Sequence, residues 1–252
     1  MPTSRTALPL ALALYAPLLE RVLDGHSEIS SAGELPDFAN ALVAAIDRRA
    51  GGALPRRERV LASADVDFAA VGADYLRRAR PHHGASPHIV DKMPLNYLYC
   101  GPIRLALPRA KILHLTRHPM ASCYAMYKTL FVDAYPFSYE LGELAQYYAS
   151  YRRLMRHWHE SMPGAILDVP YEMLVADLEG ETRRVLEHCG FEFEPTCLAF
   201  HRNASPSATA SASQVRRPLY RTSLDLWRRY EHELAPLRAA LLESGIPASE
   251  LD

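Results

Sequence analysis

Short apolar segments alternate with longer segments of helical periodicity along this chain, and that alternation limits the possible folds most strongly. The clearest strand prediction covers residues 110–116, which are short, apolar or β-branched, and bounded by Pro-Arg and Arg-His-Pro. Further strands are predicted at 29–32, 88–92 and 165–169. Strands separated by helices predict an α/β three-layer sandwich, a parallel sheet with helices on both faces.

The helices between these strands follow from apolar residues that recur at steps of three and four. They are predicted at 16–24, 36–48, 67–79, 96–107, 120–131, 140–161, 171–189 and 223–244. Gly190 is expected to end the seventh of them. The polar segments 80–87 and 203–214 are predicted loops.

The composition bounds the function without naming it. The chain has 252 residues with 28 Lys and Arg against 29 Asp and Glu, so bulk charge favours neither nucleic-acid nor anionic-membrane binding. The four cysteines lack CxxC spacing and the histidines form no HExxH or HxH motif, so no metal is expected. Buried free thiols suit a reducing cytoplasm, and no segment is long and apolar enough to cross a bilayer.

Ligands of parallel sheets gather where the strands end, which makes Arg117 the first candidate. Arg117 follows the strand at 110–116 and precedes a helix start with free backbone N–H groups. The guanidinium, these amides and the Ser122 hydroxyl can form a phosphate site. The alternative is that Arg117 pairs with a neighbouring carboxylate.

Three other groups are candidates for handling a charged substrate. Lys92 ends the strand predicted at 88–92 and can neutralise charge on a bridging oxygen, although a solvated lysine is the commoner reading. Glu34 can act as a base, or can simply favour the start of the next helix. Ser211 and Arg217 belong to a polar loop that can close over a phosphate, or can be an ordinary surface loop.

Several blocks, in a fixed order, resemble the bacterial sulfotransferase family related to protein-tyrosine sulfotransferases and often fused behind tetratricopeptide repeats. The blocks include DKMPLNYLYC, ILHLTRHPMASCY, ILDVPYEMLVADL and SASQVRRPLYRTS, and the resemblance covers residues 18 to 235. It implies a P-loop-like α/β fold. It also implies transfer of a sulfuryl group from 3′-phosphoadenosine-5′-phosphosulfate to a hydroxyl or amine, without a metal. It does not name the acceptor.

The resemblance also implies roles for single residues. Arg117 matches the arginine that binds the 3′-phosphate, Lys92 the lysine near the transferring group, and Glu34 the base. Ser211 and Arg217 match a serine and a basic residue of the loop that closes over the donor. The family's serine eight residues after the arginine is Ala125 here, so Ser122 or helix amides would replace it.

The N-terminal segment departs from the family. Members begin with an apolar strand and a Pro-Arg-Ser-Gly-Thr-Thr loop that holds the 5′-phosphosulfate, whereas residues 10–17 contain no glycine, serine, threonine or basic residue. We therefore divide the chain into an atypical segment, 1–17, and a sulfotransferase domain, 18–252, and expect the central first strand to be missing. A misread gene start, a decayed relative, or a displaced loop at 3–6 could each explain this, and the abrupt start of the match favours the first.

Two rival functions remain open. A nucleotide kinase shares the architecture, but the GxxxxGK[ST] loop it requires is absent. A non-catalytic binding or scaffold protein could have kept the fold and lost the loop. An acceptor pocket could be shaped by Tyr15, Tyr135, Phe137 and Tyr139, although packing is the commoner role of such aromatic residues.

Overall fold

A computed structural model of the protein describes residues 11–12, 17–82, 86–132, 134–202 and 224–252. The strands and α-helices are β1 (Ala11–Leu12), α1 (Pro17–Asp24), β2 (Ile29–Gly33), α2 (Asp37–Ala50), α3 (Arg56–Ala62), α4 (Phe68–Ala79), β3 (His88–Asp91), α5 (Cys100–Ala106), β4 (Ile112–Thr116), α6 (Pro119–Tyr127), α7 (Leu141–Ser161), β5 (Ile166–Pro170), α8 (Tyr171–Ala176), α9 (Leu178–Cys189) and α10 (Ala235–Glu243). Short 3-10 helices cover Ser63–Asp65, Arg80–His82, Pro94–Tyr99, Pro136–Tyr139, Pro195–Arg202, Leu226–Tyr230 and Ala248–Glu250.

All strand pairs in the described part of the chain are parallel, as predicted. They form two ladders, one in the order β1-β4-β5 and one that pairs β2 with β3. The sequence predicts one sheet, but no ladder joins the two among the described residues. Since β1 has only two residues, it offers few backbone groups to a second neighbour.

Alternate side chains of β4 enter different cores, which places helices on both faces of the sheet. Ile112 belongs to a core that includes Phe38 of α2 and Val71 of α4. Leu113 and Leu115 belong to a second core with residues of α1, α8 and α9. Because successive side chains of a strand point to opposite faces, this division confirms the predicted three-layer sandwich.

The first strand, which we expect from the sequence to be missing, is present. Ala11 pairs with Leu113 and Leu12 with His114, so β1 lies parallel to β4. Without β1, the buried edge of β4 would leave backbone N–H and C=O groups unpaired, and even an Ala-Leu segment supplies main-chain partners. The prediction is wrong because it infers the loss of the strand from the loss of the loop that normally follows it, whereas main-chain pairing does not require that loop.

Three predicted helices are divided in the structure. The helix expected at 171–189 breaks at Asp177, whose φ is −137° and whose carboxylate accepts the Gly180 N–H at 2.9 Å as an N-cap of α9. The helix expected at 96–107 begins as the 3-10 helix Pro94–Tyr99, and the one expected at 223–244 contains Leu226–Tyr230 and α10. Proline near the start of α10 cannot donate a helical N–H bond, so a continuous helix is excluded there.

The end of α9 and the presence of α3 are two further points at which the structure can be compared with the sequence. Gly190 caps α9 with a left-handed backbone at φ 84°, as expected, and α3 forms in a segment for which the sequence predicts no helix. None of the helices within the described ranges combines the length and the apolar character needed to cross a membrane.

A buried carboxylate holds together the segment in which β2 and β3 end. Asp91 is fully buried, and its Oδ2 accepts the Tyr75 hydroxyl of α4 at 3.0 Å. Its Oδ1 accepts the N–H groups of Leu35 at 3.3 Å and Met93 at 3.1 Å. Burial raises the pKa of Asp91 to about 6, although these hydrogen bonds oppose the shift.

The Asp91 carboxyl should make stability depend on pH. Its folded pKa of about 6 lies above the ordinary value of 3.8, so its stabilising contribution is complete below about pH 4 and lost as pH rises through 6. Asp91→Asn cannot titrate, so we expect the wild type to lose up to about 3 kcal/mol relative to this variant between these limits. Urea unfolding at several pH values measures the difference, and a constant difference would contradict the assignment.

Candidate functional site

Lys92 and Glu34 meet where β3 and β2 end. The Lys92 N–H donates to the Gly33 carbonyl at 2.7 Å, which extends the pairing of the two strands and sets the side chains next to each other. The Lys92 ammonium then donates to Glu34 Oε1. The Lys92 side chain is 3% exposed and that of Glu34 is 41% exposed, so the base candidate faces outward and the lysine lies beneath it.

A second carboxylate, Glu20 of α1, also faces Lys92 and is absent from the sequence-based candidates. Its Oε2 lies 3.9 Å from the Lys92 ammonium, and its Oε1 accepts the Ser31 hydroxyl. Burial raises the pKa of Glu20, while the Ser31 hydrogen bond and the Lys92 charge oppose the rise. The only available signal in the sequence is an acidic residue within the apolar run LLERVL.

Arg117 follows the last residue of β4, directly ahead of α6. It is half-buried, lines a cavity of about 680 Å³, and lies with its guanidinium carbon 5.3 Å from the centre of the Tyr171 ring. The next N–H along the chain, that of His118, donates to Glu172 Oε1 at 2.9 Å. The Glu172 carboxylate and the Arg117 guanidinium therefore both lie at the end of β4.

Ser122 and Ala125 of α6 differ in their access to the cavity. Ser122 is half-buried and lines it, whereas Ala125 is 4% exposed and does not. A hydroxyl one turn into α6 is thus available beside Arg117.

The cavity extends from the segment after Lys92 to the start of α6. Pro94 and Leu95 form one part of its wall and Tyr147 another. Tyr135 also lines it, and the pKa of the Tyr135 phenol is raised by burial, by Tyr147 and by the charge of Glu34. Among the described residues, Arg117 lines the cavity, whereas Lys92 and Glu34 do not, and Pro94 is the lining residue that follows Lys92 along the chain. A volume of this size is typical of small-molecule sites.

The C-terminal segment supports the cavity wall from behind through Trp227, which does not itself line the cavity and which sequence reasoning does not identify. The His118 ring stacks on Trp227, with centroids 5.1 Å apart and an angle of 15° between planes. Burial lowers the pKa of His118, with further contributions from Arg228 and Arg117. Trp227 itself is 3% exposed and lies in a 3-10 helix. This 3-10 helix, Leu226–Tyr230, precedes α10 and holds Trp227 against His118.

The remaining sequence candidates fall into two groups. Ser211 and Arg217 lie outside the described residues. In the segment after α6, Phe137 stacks on Tyr147 at 3.7 Å, and the Tyr139 hydroxyl accepts the Phe131 N–H at 2.8 Å. These two rings therefore pack against the chain itself. Tyr15 lies outside the described residues, and Tyr135 alone of the three described acceptor candidates lines the cavity.

Comparison with known proteins identifies the family. The sequence model described as the sulfotransferase family matches residues 17–195, which is more than half of the chain. The chain belongs to the sulfotransferase family. The family model therefore starts at residue 17, and the resemblance read from the sequence starts at residue 18.

The chain is also similar to a longer bacterial protein. An uncharacterized protein of Aquifex aeolicus (strain VF5) is 33% identical over 233 residues, covering 90% of this chain and 30% of the relative. The chain therefore spans less than a third of that relative's length.

Two solved structures share the fold of this sulfotransferase-family chain. The sulfotransferase domain from the curacin biosynthetic pathway superposes with a TM-score of 0.62 at 15% identity, covering 98% of this chain and 97% of that domain. The sulfotransferase domain of the Synechococcus PCC 7002 olefin synthase gives 0.64 at 16% identity, covering 95% and 92%. At these identities the similarity establishes the fold alone, and the predicted P-loop-like α/β class is confirmed.

The contact between Lys92 and Glu20 can be tested by removing the ammonium. In Lys92→Met, Glu20 stays buried without its cation, so its pKa should rise further. A raised carboxyl pKa contributes stability that is lost as pH rises through the folded value. We expect Lys92→Met to lose roughly 1–3 kcal/mol more at pH 8 than at pH 5.

The double variant Glu20→Gln/Lys92→Met should regain most of the stability lost at pH 8, since no buried carboxylate then remains unpaired. Urea unfolding at both pH values measures all three chains. An equal loss at pH 5 and pH 8, or no recovery in the double variant, would show that Glu20 does not depend on Lys92.

Proposed function

We propose that this chain is a sulfotransferase that moves a sulfuryl group from 3′-phosphoadenosine-5′-phosphosulfate to a hydroxyl or amine. The observation that carries the proposal is the position of Arg117, which follows β4, precedes α6 and lines a cavity that also reaches the segment after Lys92. Parallel sheets bind their ligands at this edge, and a helix start offers N–H groups to a phosphate.

Arg117 and Ser122 would bind the 3′-phosphate. A guanidinium presents two parallel N–H groups to phosphate oxygens, and the hydroxyl of Ser122 can donate a further hydrogen bond from α6. The cavity of about 680 Å³ has room for a nucleotide. The Glu172 carboxylate, which accepts the His118 N–H, favours an arrangement in which the phosphate lies on the Arg117 and Ser122 side.

Lys92 and Glu34 would perform the transfer. The acceptor oxygen or nitrogen attacks the sulfur while its proton passes to the Glu34 carboxylate. The bond from sulfur to the bridging oxygen breaks, and its electron pair remains on the 5′-phosphate of the leaving nucleotide. Lys92 would then neutralise the charge that grows on that oxygen.

The contact between Lys92 and Glu34 is compatible with the donor-free state of such an enzyme. The nearly buried ammonium is held by Glu34 and, at 3.9 Å, by Glu20. A bound phosphosulfate would compete for the ammonium. Glu34, which is the more exposed of the two carboxylates, would then be released toward an acceptor.

The second candidate function is a non-catalytic binding protein of the same fold. Residues 1–17 contain no glycine, and a loop without glycine cannot fold its amides tightly around a phosphosulfate. Such a protein would still recognise the 3′-phosphate through Arg117. Nucleotide binding and sulfuryl transfer therefore have to be measured separately.

Nucleotide binding should depend on the Arg117 guanidinium and on the 3′-phosphate together. We expect the wild type to bind 3′-phosphoadenosine-5′-phosphate roughly tenfold to a hundredfold more tightly than adenosine-5′-phosphate, since a charged hydrogen-bonded contact is worth about 1.5–3 kcal/mol. Arg117→Ala should abolish this preference. Isothermal titration measures both ligands.

Arg77→Ala is the matched control for Arg117→Ala. Arg77 is a surface arginine of α4 whose side chain is 72% exposed and paired with Asp74. It should keep the wild-type preference for the 3′-phosphate. A wild type that binds both nucleotides equally, or an Arg117→Ala variant that retains the preference, would contradict the proposed donor site.

Turnover should depend on the Glu34 carboxylate. We expect Glu34→Gln to lose about 10²–10⁴-fold in sulfuryl transfer while binding the nucleotide normally, because glutamine can accept the Lys92 hydrogen bond but cannot take a proton. Release of 3′-phosphoadenosine-5′-phosphate with a panel of phenols, alcohols and amines measures the rate. Glu28→Gln, at a nearby exposed glutamate, is the control.

The two functions give different results in this assay. Nucleotide binding without transfer to any acceptor supports the non-catalytic alternative. Transfer that survives Glu34→Gln removes Glu34 from the role of base.

A further inference from the structure

Two histidines and one aspartate meet in the wall of the cavity, and none of them is used in the proposed transfer. His114 lies on β4, Asp168 on β5 and His159 on α7. His114 Nδ1 lies 2.6 Å from Asp168 Oδ1, and His159 Nε2 lies 3.1 Å from the same oxygen. One ligand atom from each of the three lies within 4.8 Å of the others.

The sheet itself brings two of these residues together. His114 and Asp168 are register partners in the pairing of β4 with β5, so their side chains stand side by side on one face of the sheet. Helix α7 crosses that face and supplies His159. Side chains held by two strands and a helix keep a more fixed geometry than side chains on loops.

We propose that His114, His159 and Asp168 form a binding site for one divalent transition-metal ion of the zinc class. Two imidazoles and one carboxylate are a ligand set that such ions prefer, and three protein ligands leave coordination positions open. All three residues line the cavity, so the open positions face it. Water, or an oxygen or nitrogen of a molecule in the cavity, would fill them.

The spacing of the ligand atoms suits such an ion. With metal–ligand bonds of about 2.0–2.1 Å, the ligand atoms of a tetrahedral site lie roughly 3.3 Å apart. The separations of 2.6 and 3.1 Å therefore need to open by less than about 1 Å. The side chains of His159 and Asp168 are 35% and 48% exposed, which leaves them room to rotate.

The surroundings of the three residues orient them as ligands. The other ring nitrogen of His114, Nε2, contacts the Tyr151 hydroxyl, which leaves Nδ1 for the metal. Tyr151 packs edge-on against Tyr97 at 5.2 Å and Tyr148 at 5.7 Å between ring centroids. A tyrosine confined in this way positions the imidazole of His114 without binding the metal itself.

The charges near the cluster are compatible with a cation. The Asp168 carboxylate supplies one negative charge, and Arg152, which lines the same cavity, is paired with Glu250 at 2.5 Å. Arg184, which donates to the Asp168 main-chain carbonyl at 2.9 Å, is likewise paired with a carboxylate, that of Glu181 at 2.6 Å. The alternative arrangement is a metal-free hydrogen-bonded cluster of the same three residues, and metal titration separates the two.

The test is a Zn²⁺ titration of the full chain after metal removal, in competition with a chromogenic chelator at neutral pH. We expect one saturable site per chain with a Kd of about 1 μM or lower. His159→Ala and Asp168→Asn should each weaken binding at least about tenfold. Tyr151→Phe, which keeps the ring but loses the hydroxyl, should weaken it about tenfold.

His157→Ala is the matched control, since His157 is an exposed histidine of the same helix, α7. It should bind Zn²⁺ as tightly as the wild type. Circular dichroism checks that each variant is folded, and either ligand variant is sufficient for the test. A wild type without a saturable site, or ligand variants that bind like the wild type, would overturn the proposal. The titration uses neither nucleotide nor acceptor, so its outcome is independent of the proposed sulfuryl transfer.

Discussion

The parallel pairing of β4 with its two neighbours is the constraint on which the site depends. β4 pairs with β1 on one side and β5 on the other, so every second side chain faces the same core. The pairing with β5 sets His114 beside Asp168. It ends at Thr116, so that Arg117 is the first residue after the strand. A slip of one residue would exchange the two faces and remove both arrangements at once.

Two ionisable groups that are buried where β2 and β3 end, Asp91 and Lys92, are compensated by specific partners. Asp91 is satisfied by Tyr75 and two backbone N–H groups, and Lys92 by Glu34 and Glu20. Burying such groups costs free energy that apolar residues would not require, so a fold keeps them where they serve a purpose. Their concentration where β2 and β3 end is consistent with a binding edge at that position.

The expectation that the chain binds no metal comes from the absence of linear metal-binding motifs. The cluster on β4, β5 and α7 does not form such a motif. Its members are separated by 54 residues between His114 and Asp168, and by nine between His159 and Asp168. Sequence spacing reports ligands only when they share one helix or one turn. A cluster assembled by strand register and helix packing leaves no such pattern.

The sequence alone determined the alternation of strands and helices, and the position of Arg117, Lys92 and Glu34 after predicted strands, because periodicity and strand ends are local properties. Tertiary structure alone decided that β1 pairs with β4 and that Glu20 faces Lys92. It also decided that His114, His159 and Asp168 meet. Backbone pairing and contacts between distant elements carry no local signal, since they depend on which edges and faces the fold brings together.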